Sequence, residues 1–74
     1  MKQETISDRL AKVREKSGYT FRELETLTEK QGNKVTHGAI QAIEAGTKPN
    51  PTVQTIAAIA RALGCSPGWL AFGE

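Results

Sequence analysis

Seventy-four residues make one small domain, with 10 Lys and Arg against 8 Asp and Glu and a formal net charge of +2. Apolar residues are 38% and charged residues 24% of the chain, too apolar for a disordered tail and too polar for a membrane protein. The longest unbroken apolar run, Ile56 to Ala60, is five residues, against the roughly 20 that cross a bilayer. The single cysteine excludes an internal disulfide and a cysteine-only metal cage. The start Met1-Lys2-Gln3-Glu4-Thr5 lacks an apolar signal core. The chain therefore reads as a cytoplasmic domain, without metal or cofactor, held by packing alone.

A domain this small buries only about 60% of the surface its unfolded chain exposes. Nearly every apolar residue is needed inside, which leaves little room for a substrate cavity of about 300 Å³ or more. One histidine and one cysteine also starve most catalytic arrangements. No GxxxxGK, HExxH, CxxC or GxSxG pattern is present. An enzyme with a small-molecule substrate is not expected.

Ile6, Leu10 and Val13 recur at helical spacing and predict a helix over residues 5–17, closed by Gly18. Thr20 followed by Glu23 fits a capping box, and Tyr19 with Leu24 fits a hydrophobic staple around it. The second helix is thus predicted over 21–31, with Leu24 and Leu27 turned inward. Its end is blurred, because Thr28 to Lys34 is polar and Gly32-Asn33 reads as a turn. Thr36 begins a third helix over 36–45, stapled by Val35 and Ile40 and ended by Gly46. Two prolines, Pro49 and Pro51, keep the next loop non-helical. Thr52 caps a fourth helix over 52–63, whose Val53, Ile56, Ala57, Ile59, Ala60 and Leu63 form the most apolar face in the chain. Ser66-Pro67 restarts a last helix over 67–72 that carries Trp69, Leu70 and Phe72. No strand pattern appears, so the class is all-α, in one domain spanning 1–74.

Leu10, Arg14, Gly18, the run Tyr19 to Leu24, and Ile40, Ile43, Glu44 and Gly46 fall in a specific order. Pro51-Thr52, Ile56, Ile59-Ala60, Leu63-Gly64, Ser66 and Trp69-Leu70 continue it. In this order and spacing the chain resembles the helix-turn-helix domain of lambda-type repressors and Cro, over about residues 5–72. The resemblance implies a five-helix domain whose third helix enters the major groove of double-stranded DNA. It implies that His37, Gly38 and Gln41 lie at or near base edges, and that Thr36, Lys34, Lys48 and Asn50 lie near phosphates. It also implies a structural ion pair between Arg14 and Glu44. From residue 30 to residue 73 the only acid is Glu44, which suits a phosphate backbone.

The chain also departs from the family's pattern. Phe21 stands where relatives commonly carry a phosphate-binding glutamine. Glu25 replaces a small residue often packed against the third helix. The stretch from Leu24 to Ile40 is about five residues longer than usual. The expected function is a sequence-specific DNA-binding regulator of phage or prophage type, a homodimer on a palindromic operator. A protein-interaction module or an antitoxin on the same fold is the alternative. Cys65, Trp69 and Leu70 are expected in the core, and Phe72 at an interface.

Overall fold

Every helix of this chain opens on a hydroxyl. Thr5, Thr20, Thr36, Thr52 and Ser66 each adopt an extended backbone and accept the N–H of the residue three further on. Each thereby satisfies one of the amide donors that a helix start leaves without a partner. The computed structural model describes residues 4–47 and 51–73. Among them are α1 (Ile6–Ser17), α2 (Phe21–Lys30), α3 (His37–Ala45), α4 (Val53–Leu63) and α5 (Pro67–Phe72), with no strand. The ranges predicted for α1, α3 and α4 each began one residue early, on the capping threonine itself. The range for α2 ran one residue long, onto Gln31, which closes the helix. Two starts carry full capping boxes, Thr5 with Asp8 and Thr20 with Glu23; the first was not anticipated.

The core gathers Leu10 of α1, Leu24 of α2, Val35, Ile40 and Ile43 around α3, Ala58, Ile59 and Ala60 of α4, and Leu70 of α5. Helix α3 packs on α1 and α2, while α4 packs on α2, α5 and α1. Both predicted staples contribute: Val35, Ile40 and Leu24 are buried, and Tyr19 packs against the same cluster. Cys65 and Trp69 lie half-buried against that cluster, and burial raises the Cys65 thiol above its ordinary pKa. Phe72 is exposed.

The polar stretch from Thr28 to Lys34 is exposed from residue 29 onward but anchored at its start. Thr28 is fully buried, and its hydroxyl accepts the Val35 N–H at 2.9 Å while lying 2.9 Å from the Glu25 carbonyl it donates to. Gly32 takes a left-handed conformation, φ 88°, and the Asn33 N–H returns to the Thr28 carbonyl at 3.1 Å. The Asn33 side chain then bonds the Gln54 carbonyl of α4. One buried hydroxyl and one glycine turn thus bring the long connection back to start α3.

Helix α5 has six residues, too few to hold by itself. Arg9, buried in α1, supports it: Nε donates to the Leu70 carbonyl and Nη2 to the Ala71 carbonyl, both at 2.9 Å. Nη1 donates to the Glu4 carbonyl at 2.8 Å. A cation at the carbonyl end of a helix opposes the helix dipole and satisfies its last acceptors. Among the described residues, no helix is long and apolar enough to cross a membrane.

Substituting Thr28→Val should leave the Val35 N–H buried without a partner. The expected loss is about 1–3 kcal/mol of unfolding free energy, at an unchanged urea slope. Thr28→Ser keeps the hydroxyl and should lose less. A larger loss in Thr28→Ser than in Thr28→Val would assign the role of Thr28 to its methyl group instead.

Candidate nucleic-acid interface

Helix α3 divides by periodicity into two faces. Ile40 and Ile43 are buried and Ala39 packs beside them. On the other side Gly38, Gln41 and Ala45 are exposed, and His37 and Ala42 are partly so. His37, Gln41 and Ala45 are four residues apart and share one outward stripe. The N-terminal half of this stripe carries the hydrogen-bonding side chains.

The two ends of α3 are fixed by different means. At its C-terminal end Gly46, φ 81°, sends its N–H to the Ala42 and Ile43 carbonyls, and the Thr47 N–H follows to Ala42. Glu44, two residues before Gly46, forms a forked pair with Arg14 of α1: Nε to Oε2 at 2.8 Å and Nη2 to Oε1 at 2.9 Å. The two side chains are 17% and 10% exposed. The Arg14 Nη1 donates to the Tyr19 carbonyl at 2.9 Å, and its guanidinium lies 4.3 Å from the centre of the Phe21 ring. The hydrogen bond that the guanidinium donates to Glu44 raises the arginine's already high pKa. Phe21, which displaces a polar residue in the family pattern, here stacks on the arginine that orients α3. Ser7 of α1 adds a 2.7 Å hydrogen bond to the Ile43 carbonyl.

At the N-terminal end the acid comes from α2. Oε1 of Glu25 accepts the His37 N–H at 2.6 Å and lies 2.7 Å from the His37 Nδ1. Lys34 Nζ stands 3.8 Å from the second oxygen, Oε2. The His37 backbone N–H, then its ring N–H, favours the ionised form of Glu25 and holds its pKa below the usual carboxylate range. Thr36 takes the Ala39 N–H. Of the first amides of α3, the Gly38 N–H has no protein acceptor among the described residues. The place where a phosphate would meet this helix dipole is thus partly filled by a carboxylate of the protein.

The residues expected near DNA are distributed as follows. Thr36, Gly38 and Gln41 are exposed, Lys34 is exposed on the segment leading into α3, and His37 is half-exposed with one ring nitrogen engaged. A Cβ placed on Gly38 meets nothing within 4 Å, so the fold itself does not require glycine there. Lys48 and Asn50 lie outside the described residues. Sequence reasoning passed over Glu25 as a ligand of α3 and Thr28 as its anchor. A carboxylate twelve residues ahead of a helix start carries no local signature. Among the described residues no three His, Cys, Asp or Glu side chains gather as a metal-binding group. A groove of about 150 Å³ between α4 and α5, lined by Val53, Ile56, Pro67, Ala71 and Phe72, is apolar.

Known proteins bear on this geometry. A family profile described as Helix-turn-helix matches residues 10–70. Among solved structures, the crystal structure of the P22 c2 repressor protein in complex with synthetic operator 9T in the presence of Tl+ superposes with a TM-score of 0.80. It is 24% identical, over 97% of this chain and 100% of that one, a likeness of fold. No curated protein matches the sequence.

The Glu25 contact predicts a pH dependence. Its folded pKa lies below the unfolded one, so its stabilising contribution is present at neutral pH and is lost as pH falls through the folded value. Urea midpoints of the protein and of Glu25→Gln should therefore differ at about pH 7 and converge towards about pH 3. A gap that stays constant across that range would show that the carboxylate is not coupled to folding.

Proposed function

The chain belongs to the helix-turn-helix family, and from that premise we propose that it is a sequence-specific DNA-binding regulator of transcription, of the phage-repressor type. The observation that carries this reading is the outward stripe of α3. Gln41 and His37 project from a short helix whose opposite face is buried and whose two ends are held, and the extra segment after α2 folds back on α4 instead of covering them. The structural neighbour with an operator bound supports the same reading.

In this mode α3 lies with its N-terminal half in the major groove. Gln41 pairs with the N6 and N7 edge of an adenine. The Thr36 hydroxyl, the Gly38 N–H and Lys34 place the helix against the backbone without reading sequence. Lys48 and Asn50 join them from the loop after α3. The only acid between residues 30 and 73 is the one neutralised by Arg14, so that part of the surface does not repel phosphate. Regulation is steric: the bound protein excludes or recruits polymerase in the cytoplasm.

The operator is read by a homodimer. Val53 and Phe72 are 81% and 77% exposed, the large apolar residues that the fold leaves in water. They flank the apolar groove between α4 and α5. A projecting ring beside a groove on one face is a self-complementary surface, which a two-fold axis satisfies. Two recognition helices about one helical turn, some 34 Å, apart then match a palindrome.

Selection of bound duplexes from a random pool tests this reading. A palindrome with affinity that falls steeply with salt is expected. Indifference to every duplex would transfer the fold to a protein-interaction role. On the selected site Gln41→Ala should weaken binding by about 1–3 kcal/mol, and binding as tight as the original would remove Gln41 from the reading set. Phe72→Glu should shift sedimentation towards monomer and weaken binding to the full palindrome more than to a half-site. An unchanged sedimentation profile would place the dimer contact elsewhere.

A further inference from the structure

Glu25 is the one acid placed against the reading end of α3, and the binding mode just described makes no use of it. An ionised carboxylate offers lone pairs only, so the Nδ1 that lies 2.7 Å from Glu25 Oε1 holds the proton. The same oxygen also takes the backbone N–H of His37 at 2.6 Å. Backbone and ring of one residue are thus tied to a single point, which fixes the ring's rotation. The other ring nitrogen, Nε2, has no protein partner among the described residues, and the side chain is 43% exposed. It belongs to the same outward stripe as Gln41, one turn before it.

We propose that Glu25 is a positioning residue that locks the His37 ring and presents Nε2 as a base-reading atom, so that an α2 side chain helps to set the sequence the protein selects. The inference rests on the reading of α3 as the recognition helix. With the proton fixed on Nδ1, a neutral ring offers a lone pair at Nε2. Its partner in the major groove is an exocyclic amino group, adenine N6 or cytosine N4. A protonated ring instead offers Nε2–H, whose partner is guanine N7 or O6. The charged groups that face the ring are Glu25 from α2 and Lys34 from the segment before α3. Glu44 of α3 is seven residues on, about 10 Å along the axis, and is held by Arg14 of α1.

Two measurements test the inference. Nitrogen-15 NMR of the histidine in the free protein, at about pH 8, should show Nδ1 protonated and Nε2 bare. Glu25→Ala should release the ring to a mixture of tautomers, and Glu25→Gln, whose amide oxygen still accepts, should retain the fixed form. Pool selection at about pH 8 then reads the consequence. Adenine or cytosine should exceed guanine by about tenfold at one half-site position. Glu25→Ala and His37→Ala should lose that preference alone, with the Gln41 position untouched. Circular dichroism establishes that each variant is folded, and Glu25→Gln serves if Glu25→Ala is not. The inference is overturned by a bare Nδ1 in the original protein, by the same base preference with and without Glu25, or by a uniform loss at every position. If the original protein selects no duplex, the regulator reading fails and this inference with it. A clear palindrome with a Glu25-independent base preference sinks the inference alone.

Discussion

A helix of nine residues cannot aim anything unless both of its ends are held. Alone it is too short to persist in water, and its buried stripe, Ile40 and Ile43, offers only two fully buried contacts against rotation about its axis. Hydrophobic burial is non-directional. It keeps α3 down on the core without fixing its angle. Direction comes from two carboxylates: Glu44, leaving α3 to meet Arg14 of α1, and Glu25, leaving α2 to meet the first amide of α3. One fixes the far end to the first helix and the other fixes the near end to the second.

The two anchors differ in kind. The Arg14–Glu44 pair is shielded on both partners, forked, backed by the Tyr19 carbonyl and roofed by Phe21. Its net worth against an apolar replacement is small, but removal of either side leaves an uncompensated charge in a poorly hydrated place. The Glu25 contact sits at the surface beside Lys34, where water and salt weaken the Coulomb part. Its strength lies in geometry, because the backbone and ring of His37 share one acceptor oxygen. The C-terminal end of α3 is thus held by a shielded pair and its N-terminal end by one open to water.

The departures from the family pattern become intelligible together. Phe21 cannot bind a phosphate through its side chain, and here it stacks on the arginine that sets the helix angle. Glu25 replaces a small residue and here accepts the first amide of α3, while the longer connection folds back toward α4 through Thr28 and Gly32. Arg9 performs a similar service at the other side of the domain, where its buried guanidinium binds the Leu70 and Ala71 carbonyls and ties the six-residue α5 to α1. Short helices in this chain are kept by side chains that reach across from longer ones.

Helix number, the all-α class and four of the five hydroxyl caps were legible in the residue string, because capping, staples and apolar periodicity act over three or four positions. Thr20 with Glu23 and Thr36 ahead of Ile40 declare their helices without reference to the rest of the fold. The Arg14–Glu44 pair was reachable through resemblance, since its partners stand 30 residues apart and no local rule joins them. Thr28, read in sequence as the first residue of a polar stretch, proved fully buried, because its hydroxyl finds the Val35 amide only once the turn at Gly32 has closed. Glu25 and Arg9 likewise carried no signature of their partners, which lie 12 and 61 or 62 residues away. The sequence by itself determined where helices start, stop and turn their apolar faces. Only the tertiary structure decided which carboxylate meets which amide, because those bonds form between groups that packing brings together.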